Sequence, residues 1–170
     1  MHEASAFQTV DISSLLHIAW PSPSLLRVSI LVGLLPVVIR FDLRERRIPD
    51  WSVGAAFVGA GVSAVTDAIG PTAILAAFGA GLGAPLAARA ATGGSLGWGD
   101  VKLCVAAALL VGPRAAVRAQ VAASVLAAAG IGLARVVRRD RSAGEGGVPF
   151  GPYLVASTLA VLVLEGGYGR

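Results

Sequence analysis

The chain has 170 residues, of which 55% are hydrophobic and only 14% are charged, and its mean hydropathy is +0.75. Soluble domains carry about 25% charged residues, so this composition excludes an ordinary soluble globule, and its richness in apolar residues excludes a disordered chain. One cysteine and two histidines exclude a disulfide framework and a Cys/His zinc site built within one chain. The length leaves room for about six membrane spans of roughly 20 residues each.

Six apolar runs follow one another along the chain, and each is predicted to form a transmembrane helix. Lipid requires backbone polar groups to be paired within a helix or a closed barrel, and these runs lack the alternation of barrel strands. We therefore expect an all-α integral membrane protein with an extracytoplasmic segment over residues 1–24 and one six-helix domain over residues 25–166. The runs are Leu25–Phe41, Trp51–Ala68, Pro71–Ala88, Val101–Gly112 with the Gly97–Asp100 turn at its front, Ala115–Val137 and Phe150–Leu164.

Positive charges set the predicted orientation of these spans. Most lysines and arginines lie in or beside the loops after the first, third and fifth runs, and an excess of this kind marks cytoplasmic loops. Both termini are therefore predicted to lie outside. The charges interrupt apolar runs and do not line one polar face with aromatic residues, so the net charge of +4 does not indicate nucleic-acid binding. The residues in question are Arg40, Arg44, Arg46, Arg47, Arg89, Lys102, Arg135, Arg138, Arg139 and Arg141.

Two of the ten acidic residues, Asp42 and Asp100, are predicted to lie at the same depth. Asp42 directly follows the first span, which runs inward, and Asp100 opens the fourth, which runs outward. Two close carboxylates cannot readily both ionise, and a pair that shares a proton can activate water for attack on a peptide carbonyl. Taken alone, Asp42 could instead be a solvated cap near arginines, and Asp100 occupies a place where an N-cap carboxylate is favoured.

Three segments around these residues favour the catalytic interpretation. They are Asp42–Asp50 (DLRERRIPD), Gly97–Leu103 (GWGDVKL) and Val148–Tyr153 (VPFGPY). In this order and at these helix ends, they resemble the type IV prepilin peptidases, membrane aspartic proteases whose second aspartate lies in a GxGD motif. The resemblance extends over nearly the whole chain, and it implies that the catalytic pair is Asp42 and Asp100.

The same resemblance implies a function and its partners. The chain would be a membrane-embedded endopeptidase of the plasma membrane that needs no metal or other cofactor. Its substrate would be a prepilin-like protein with a short basic leader in the cytoplasm and an apolar helix in the bilayer. Cleavage at the junction between leader and helix would agree with the depth inferred for the two aspartates.

The remaining residues of the matched segments have two interpretations each. Gly97 and Gly99 either let the backbone bend and a substrate strand approach, or simply break the helix between the third and fourth spans. Pro149, Gly151 and Pro152 are expected to shape the start of the sixth span beside the site. Proline is also ordinary in the first turn of a helix.

Five other polar or reactive residues are assigned mainly structural roles. Glu45 and Asp50 lie among arginines in the loop after the first span, and Asp67 lies on the opposite side of the membrane. Cys104 is expected to be a packed small residue, because no histidine is near it in sequence. Lys102 could hold a negative charge near the site or extend its amine to the membrane interface, and we favour the interface.

The chain differs in one respect from the long prepilin peptidases that it resembles. Those enzymes have an additional N-terminal domain with four cysteines, which is linked to N-methylation. Only 24 residues precede the first span, and none is a cysteine. The chain therefore resembles peptidase-only members of Tad-type pilus and archaellin-processing systems, and methyl transfer is predicted to be absent. Two alternatives are a non-catalytic pilus-assembly factor and a small proton-coupled transporter, whose acids should lie near the membrane midplane.

Overall fold

Six α-helices and no strand make up the part of the chain that the computed structural model describes, namely residues 25–45, 47–91, 93, 96–137 and 149–168. The helices are α1 (Leu25–Glu45), α2 (Asp50–Thr66), α3 (Pro71–Ala91), α4 (Trp98–Val111), α5 (Pro113–Val137) and α6 (Phe150–Tyr168). The all-helical prediction is confirmed, and each helix covers one of the six apolar runs. The N-terminal segment 1–24 and the basic residues Arg46, Arg138, Arg139 and Arg141 lie outside the described residues.

The helix boundaries next to Asp42 and Asp100 differ from the prediction. α1 continues past Phe41 to Glu45, so Asp42 lies in the last turn of a helix and not after it. α4 begins at Trp98 with Gly97 as its N-cap, so the N-cap interpretation of Asp100 is wrong. Asp100 is instead the third residue of the helix. Its carboxylate accepts a hydrogen bond from the backbone N–H of Gly97, as an acidic side chain at this position does in a capping box.

α4 lies at the centre of the bundle. Nine of its fourteen residues are buried, and it packs against α2, α3, α5 and α6. Its contact with α3 is close: a Cβ added at Gly81 would lie 2.7 Å from the Cα of Val105, so a larger residue would force the two helices apart. Asp100 is therefore carried by the first turn of the most buried helix.

A single residue, Gly112, connects α4 to α5. Its φ of 88° lies in the region that favours glycine, and its N–H donates to the Ala108 carbonyl at 2.8 Å, which closes the end of α4. Pro113 then begins α5 at a position where a missing N–H costs the helix nothing. This short connection makes α4 and α5 adjacent helices.

The opposite end of the bundle from Asp42 contains a buried ion pair. Arg27, near the start of α1, is fully buried, and its Nε donates to the Ser63 hydroxyl at 2.7 Å. Its guanidinium also pairs with Asp67, the residue that follows α2. The structural role expected for Asp67 agrees with this contact, which ties the start of α1 to the end of α2.

Small apolar residues fill the core, and large ones cover much of the surface. Alanine is the commonest buried apolar residue. Soluble monomers rarely expose large contiguous apolar patches, whereas small residues between helices are characteristic of helix packing in lipid. Large apolar side chains that are more than 60% exposed include Leu25, Val58, Val65, Leu75, Val125, Leu133 and Leu164.

Within the described residues, two helices are long and apolar enough to cross a membrane by length and hydropathy alone. They are α3 and the Pro113–Leu133 part of α5, and α6 contains a shorter apolar stretch, Phe150–Leu164. The number of six spans and the location of the termini therefore stay predictions.

Candidate active site

Asp42 lies at the end of α1 and faces the start of α6. Its side chain is buried, and its Oδ2 accepts a hydrogen bond of 2.9 Å from the backbone N–H of Gly151. This donor is available because the first N–H groups of a helix have no partner within the helix. The positive end of the α6 dipole also favours a negative charge at this place.

Gly151 leaves the space that this hydrogen bond needs. A Cβ at this position would lie 2.7 Å from Cγ1 of Val38 and 3.0 Å from Oδ2 of Asp42. A side chain there would have to displace α1 or the carboxylate itself. Pro149 immediately precedes α6 and Pro152 lies in its first turn, so the two prolines flank Gly151 where missing N–H groups are tolerated.

Asp100 lies in the first turn of α4, and its two oxygens have different surroundings. The carboxylate accepts a hydrogen bond from the Gly97 backbone N–H. Its Oδ1 is buried and accepts no hydrogen bond from any described residue. A Cβ at Gly97 would lie 3.3 Å from Oδ2 of Asp100, so glycine lets the carboxylate fold back over the start of the helix.

The structure brings the two carboxylates to the same end of the bundle, beyond the ends of the apolar runs Leu25–Phe41 and Val101–Gly112. Burial raises the pKa of Asp100 to about 7, and repulsion from the charge of Asp42 adds to this effect against the opposing hydrogen bond from Gly97. Burial also raises the pKa of Asp42, while the hydrogen bond from Gly151 acts in the opposite direction. The charge on Asp42 therefore opposes ionisation of Asp100, and the two groups do not readily both carry a charge near neutral pH.

Ile48, in the loop between α1 and α2, was not singled out from the sequence, yet it contacts both of the other matched segments. A Cβ at Gly99 would lie 3.3 Å from Cβ of Ile48, and one at Gly151 would lie 3.2 Å from its Cδ1. Gly99 lies in the first turn of α4, and the residue that approaches it is Ile48, so the expected approach of a substrate strand stays a prediction. The only sequence signal for Ile48 was its place within the matched segment Asp42–Asp50.

Lys102 has a partner that neither of its two interpretations named. Its Nζ lies 2.9 Å from Oδ1 of Asp50, the first residue of α2, and both side chains are exposed. The hydrogen bond and positive charge of Lys102 lower the pKa of Asp50. An exposed ion pair of this kind contributes little to stability. Glu45 is exposed on the last turn of α1.

The described residues contain no group of three or more histidine, cysteine, aspartate or glutamate side chains that could hold a metal ion. Cys104 lies one turn beyond Asp100 on α4 and is buried, which agrees with its interpretation as a packed small residue. The arrangement of Asp42 and Asp100 is thus a pair of carboxyl groups with unequal surroundings, which is suited to proton transfer.

A model of the type IV leader peptidase family matches residues 29–133 of the chain. The match contains both Asp42 and Asp100 and ends before α6, so the contact of Gly151 with Asp42 is an observation of the structure alone. No curated protein and no solved structure matches the chain.

Proposed function

The chain belongs to the type IV leader peptidase family, and on that premise we propose that it cleaves the short basic leader from prepilin-like proteins at the cytoplasmic face of the plasma membrane. The chemistry proposed is that of a membrane-embedded aspartic endopeptidase. The observation that carries the proposal is that Asp42 and Asp100 lie at one end of the bundle, where the charge of Asp42 raises the pKa of Asp100. The Gly151 N–H hydrogen-bonds Asp42, and the buried Oδ1 of Asp100 accepts no hydrogen bond from any described residue.

The unequal surroundings assign a different role to each carboxyl group. The Gly151 N–H stabilises Asp42 as a carboxylate. Asp100 also accepts one backbone N–H, from Gly97, but desolvation and the charge of Asp42 raise its pKa to about 7, so we assign the proton to Asp100. Asp42 accepts a proton from water as the water oxygen attacks the scissile carbonyl carbon, and Asp100 donates its proton to the carbonyl oxygen. The pair still titrates as one unit.

Collapse of the tetrahedral intermediate completes the reaction. The carbon–nitrogen bond breaks as Asp42 passes the proton it accepted to the leaving amine. The carbonyl forms again as the hydroxyl of the intermediate returns its proton to Asp100. Atoms balance with one water consumed, and the two carboxyl groups regain their starting protonation states.

The charges around the pair support cytoplasmic cleavage. Arg40, Arg44 and Arg47 lie on or just after the end of α1, and Arg89 lies near the end of α3. Basic residues at one end of a helix bundle are typical of the cytoplasmic side. The exposed apolar side chains support contact with lipid. A substrate whose basic leader meets an apolar helix would then present that junction to Asp42 and Asp100.

The experiment is an incubation of the purified chain, in lipid vesicles, with a prepilin-like protein that has a basic leader and an apolar helix. Asp42→Asn and Asp100→Asn should each lower kcat by at least about 1,000-fold, because each removes one half of the proton transfer. Asp50→Asn is the matched control, since Asp50 is an exposed acid of the same matched segment, and it should stay within about twofold of the unaltered chain.

The transporter alternative finds no support among the described acids. Asp42, Asp67 and Asp100 lie at helix ends, whereas carriers place their acids near the membrane midplane. The non-catalytic assembly factor is separated from the peptidase by the same incubation, because it would leave the substrate intact.

A further inference from the structure

A cavity of about 280 Å³ lies next to the candidate active site, between α3, α5 and the start of α6. Its walls are mainly apolar, and the exposed face of α5 leaves it open to the outside of the bundle. A cavity of about 150 Å³ holds a benzene molecule, so this one has room for a large apolar side chain and adjoining backbone. Its lining includes Ala84, Pro85, Leu96, Cys104, Gln120 and Phe150.

The cavity is continuous with the residues that surround the aspartates. Phe150 immediately precedes Gly151, which hydrogen-bonds Asp42. Leu96 immediately precedes Gly97, and Cys104 follows Asp100 by one helical turn. Neither aspartate lines the cavity itself, but the lining includes residues next to those that hydrogen-bond the two carboxyl groups.

Gln120 gives this mainly apolar cavity a buried polar side chain. The residue is 93% buried, since only 7% of its surface is exposed. Its Nε2 donates to the Ala80 carbonyl at 3.4 Å, while its Oε1 accepts no hydrogen bond from any described residue. An unpartnered buried acceptor is costly, so a turn of the amide toward the cavity that lets Oε1 accept a hydrogen bond from an occupant's N–H would be stabilising.

Ser124, another polar residue of the lining, differs from Gln120 because its hydroxyl already takes part in a hydrogen bond, which it donates to the Gln120 backbone carbonyl at 2.8 Å. Among the described lining residues, Gln120 carries a buried side-chain oxygen that no donor satisfies. A lipid acyl chain matches the walls and brings no donor, whereas a peptide matches both.

We propose that this cavity is the substrate subsite for the apolar residue that follows the scissile bond, with Gln120 Oε1 accepting a hydrogen bond from a substrate backbone N–H. The inference rests on the proposed peptidase function and adds the side of the site on which the apolar segment binds. Gln120 is then a residue that binds substrate, and Ala84 limits the size of the side chain that fits.

Two pairs of variants test this in the full chain in phosphatidylcholine vesicles, with the prepilin-like protein as substrate. Gln120→Met keeps the length of the side chain and removes the acceptor, so KM should rise about fivefold while kcat changes less than about twofold. Thr158→Val is its control outside the cavity and should leave KM within about twofold, because the buried hydroxyl it removes is already hydrogen-bonded to the Leu154 carbonyl within α6.

The second pair fills the cavity. Ala84→Phe should lower kcat/KM at least about tenfold for a substrate with phenylalanine after the scissile bond, and less for one with alanine there. Ala90→Phe is the control, since Ala90 is an exposed alanine of the same helix that does not line the cavity. Melting midpoints of all four variants separate a loss of binding from a loss of folding.

A binding measurement that needs no turnover completes the test. The doubly substituted Asp42→Asn, Asp100→Asn chain is irradiated with a peptide that has a benzophenone side chain at the first apolar position. Crosslinks are expected in α3 and α5 along the cavity and should disappear with excess unlabelled peptide. Crosslinks confined to α1 or α2 would overturn the subsite.

Failure of the subsite and failure of the proposed function give different results. If the unaltered chain cleaves no prepilin-like protein, the proposed function fails. If it cleaves normally and both cavity variants behave like their controls, only the subsite is overturned. Variants that change the melting midpoint in lipid but leave KM unchanged would indicate an acyl chain in the cavity and would also overturn it.

Discussion

The backbone N–H of Gly151 lies 2.9 Å from Oδ2 of Asp42, although 109 residues separate the two in sequence. This hydrogen bond couples the start of α6 to the end of α1 and favours the charged form of one carboxyl group. Asp100, whose Oδ1 has no described partner, lacks an equivalent donor at that oxygen. Under the proposed mechanism, this difference assigns the role of base to Asp42 and the role of acid to Asp100.

Gly151→Ala should lower kcat at least about tenfold and destabilise the fold by about 1–3 kcal/mol, because the added Cβ would overlap Val38. Gly132→Ala is a matched control, since a Cβ at Gly132 meets no atom within 4 Å. That control should be neutral or slightly stabilising, as alanine favours helix more than glycine does. Peptidase assays and thermal unfolding of both variants measure the difference, and equal behaviour would contradict the close contact.

Ile48→Ala should lower kcat about tenfold with little change in KM, because Ile48 packs against both Gly99 and Gly151 and positions the elements that carry the aspartates. Ile48→Val keeps part of the contact and should recover most of the activity. Water that enters beside Asp100 would also lower its pKa, so the alkaline limb of the pH profile should move to lower pH. An unchanged pH profile would mean that Ile48 has only a structural role.

The rate of cleavage should fall as the pH rises through about 7, where Asp100 loses the proton that the reaction needs. At acid pH the rate should fall as Asp42 becomes protonated, at a pKa raised above its ordinary value of 3.8. Measurement of kcat/KM between about pH 4 and pH 9 tests this bell shape. The Asp50→Asn variant serves as control and should keep the same profile, and a rate that still rises above about pH 8 would oppose the proton assignment.

Asp100→Asn should raise the melting midpoint at about pH 8 and have a smaller effect near pH 5. The pKa of Asp100 is raised from 3.8 to about 7 on folding, so the folded state binds a proton that the unfolded state releases. Stability therefore falls as the pH rises from about 4 to about 7 and then levels off. Asp50→Asn should show no such gain, because the pKa of Asp50 is lowered in the folded state.

Arg27→Met should destabilise the chain by about 3–5 kcal/mol, because it leaves Asp67 without the partner that a buried ion pair requires. A second substitution, Asp67→Asn, removes the uncompensated charge and should recover part of the loss. Peptidase activity per folded molecule should stay within about twofold, since this pair lies at the opposite end of the bundle from Asp42. Denaturant unfolding of the single and double variants measures the coupling.

The positions of the six helices could be predicted because apolar runs of sufficient length favour helices in lipid. The end of α1 could not be predicted in this way, since the apolar run stops at Phe41 while the helix continues to Glu45. Chain direction alone predicted that Asp42 and Asp100 would lie at one end. The short segments around these two residues carry the resemblance to the type IV prepilin peptidases, and the match to the family model agrees with that resemblance.

The contacts that organise the site could not be predicted from sequence. Gly151 was expected beside the site, but its hydrogen bond to Asp42 depends on how α6 packs against α1. Ile48 is one isoleucine in a loop, and nothing in its neighbours shows that two glycines approach it. Gln120 is a polar residue within an apolar run, which was a signal, but its unpartnered oxygen is visible only in the folded bundle.

The most direct test of the central claim is the mass of a prepilin-like substrate before and after incubation with the purified chain in vesicles. We predict a loss of mass equal to the basic leader, cut at its junction with the apolar helix, with the unaltered chain and with Asp50→Asn. Asp42→Asn and Asp100→Asn should leave the substrate at full mass. Removal of the leader at the normal rate by either of these two variants would contradict the catalytic pair.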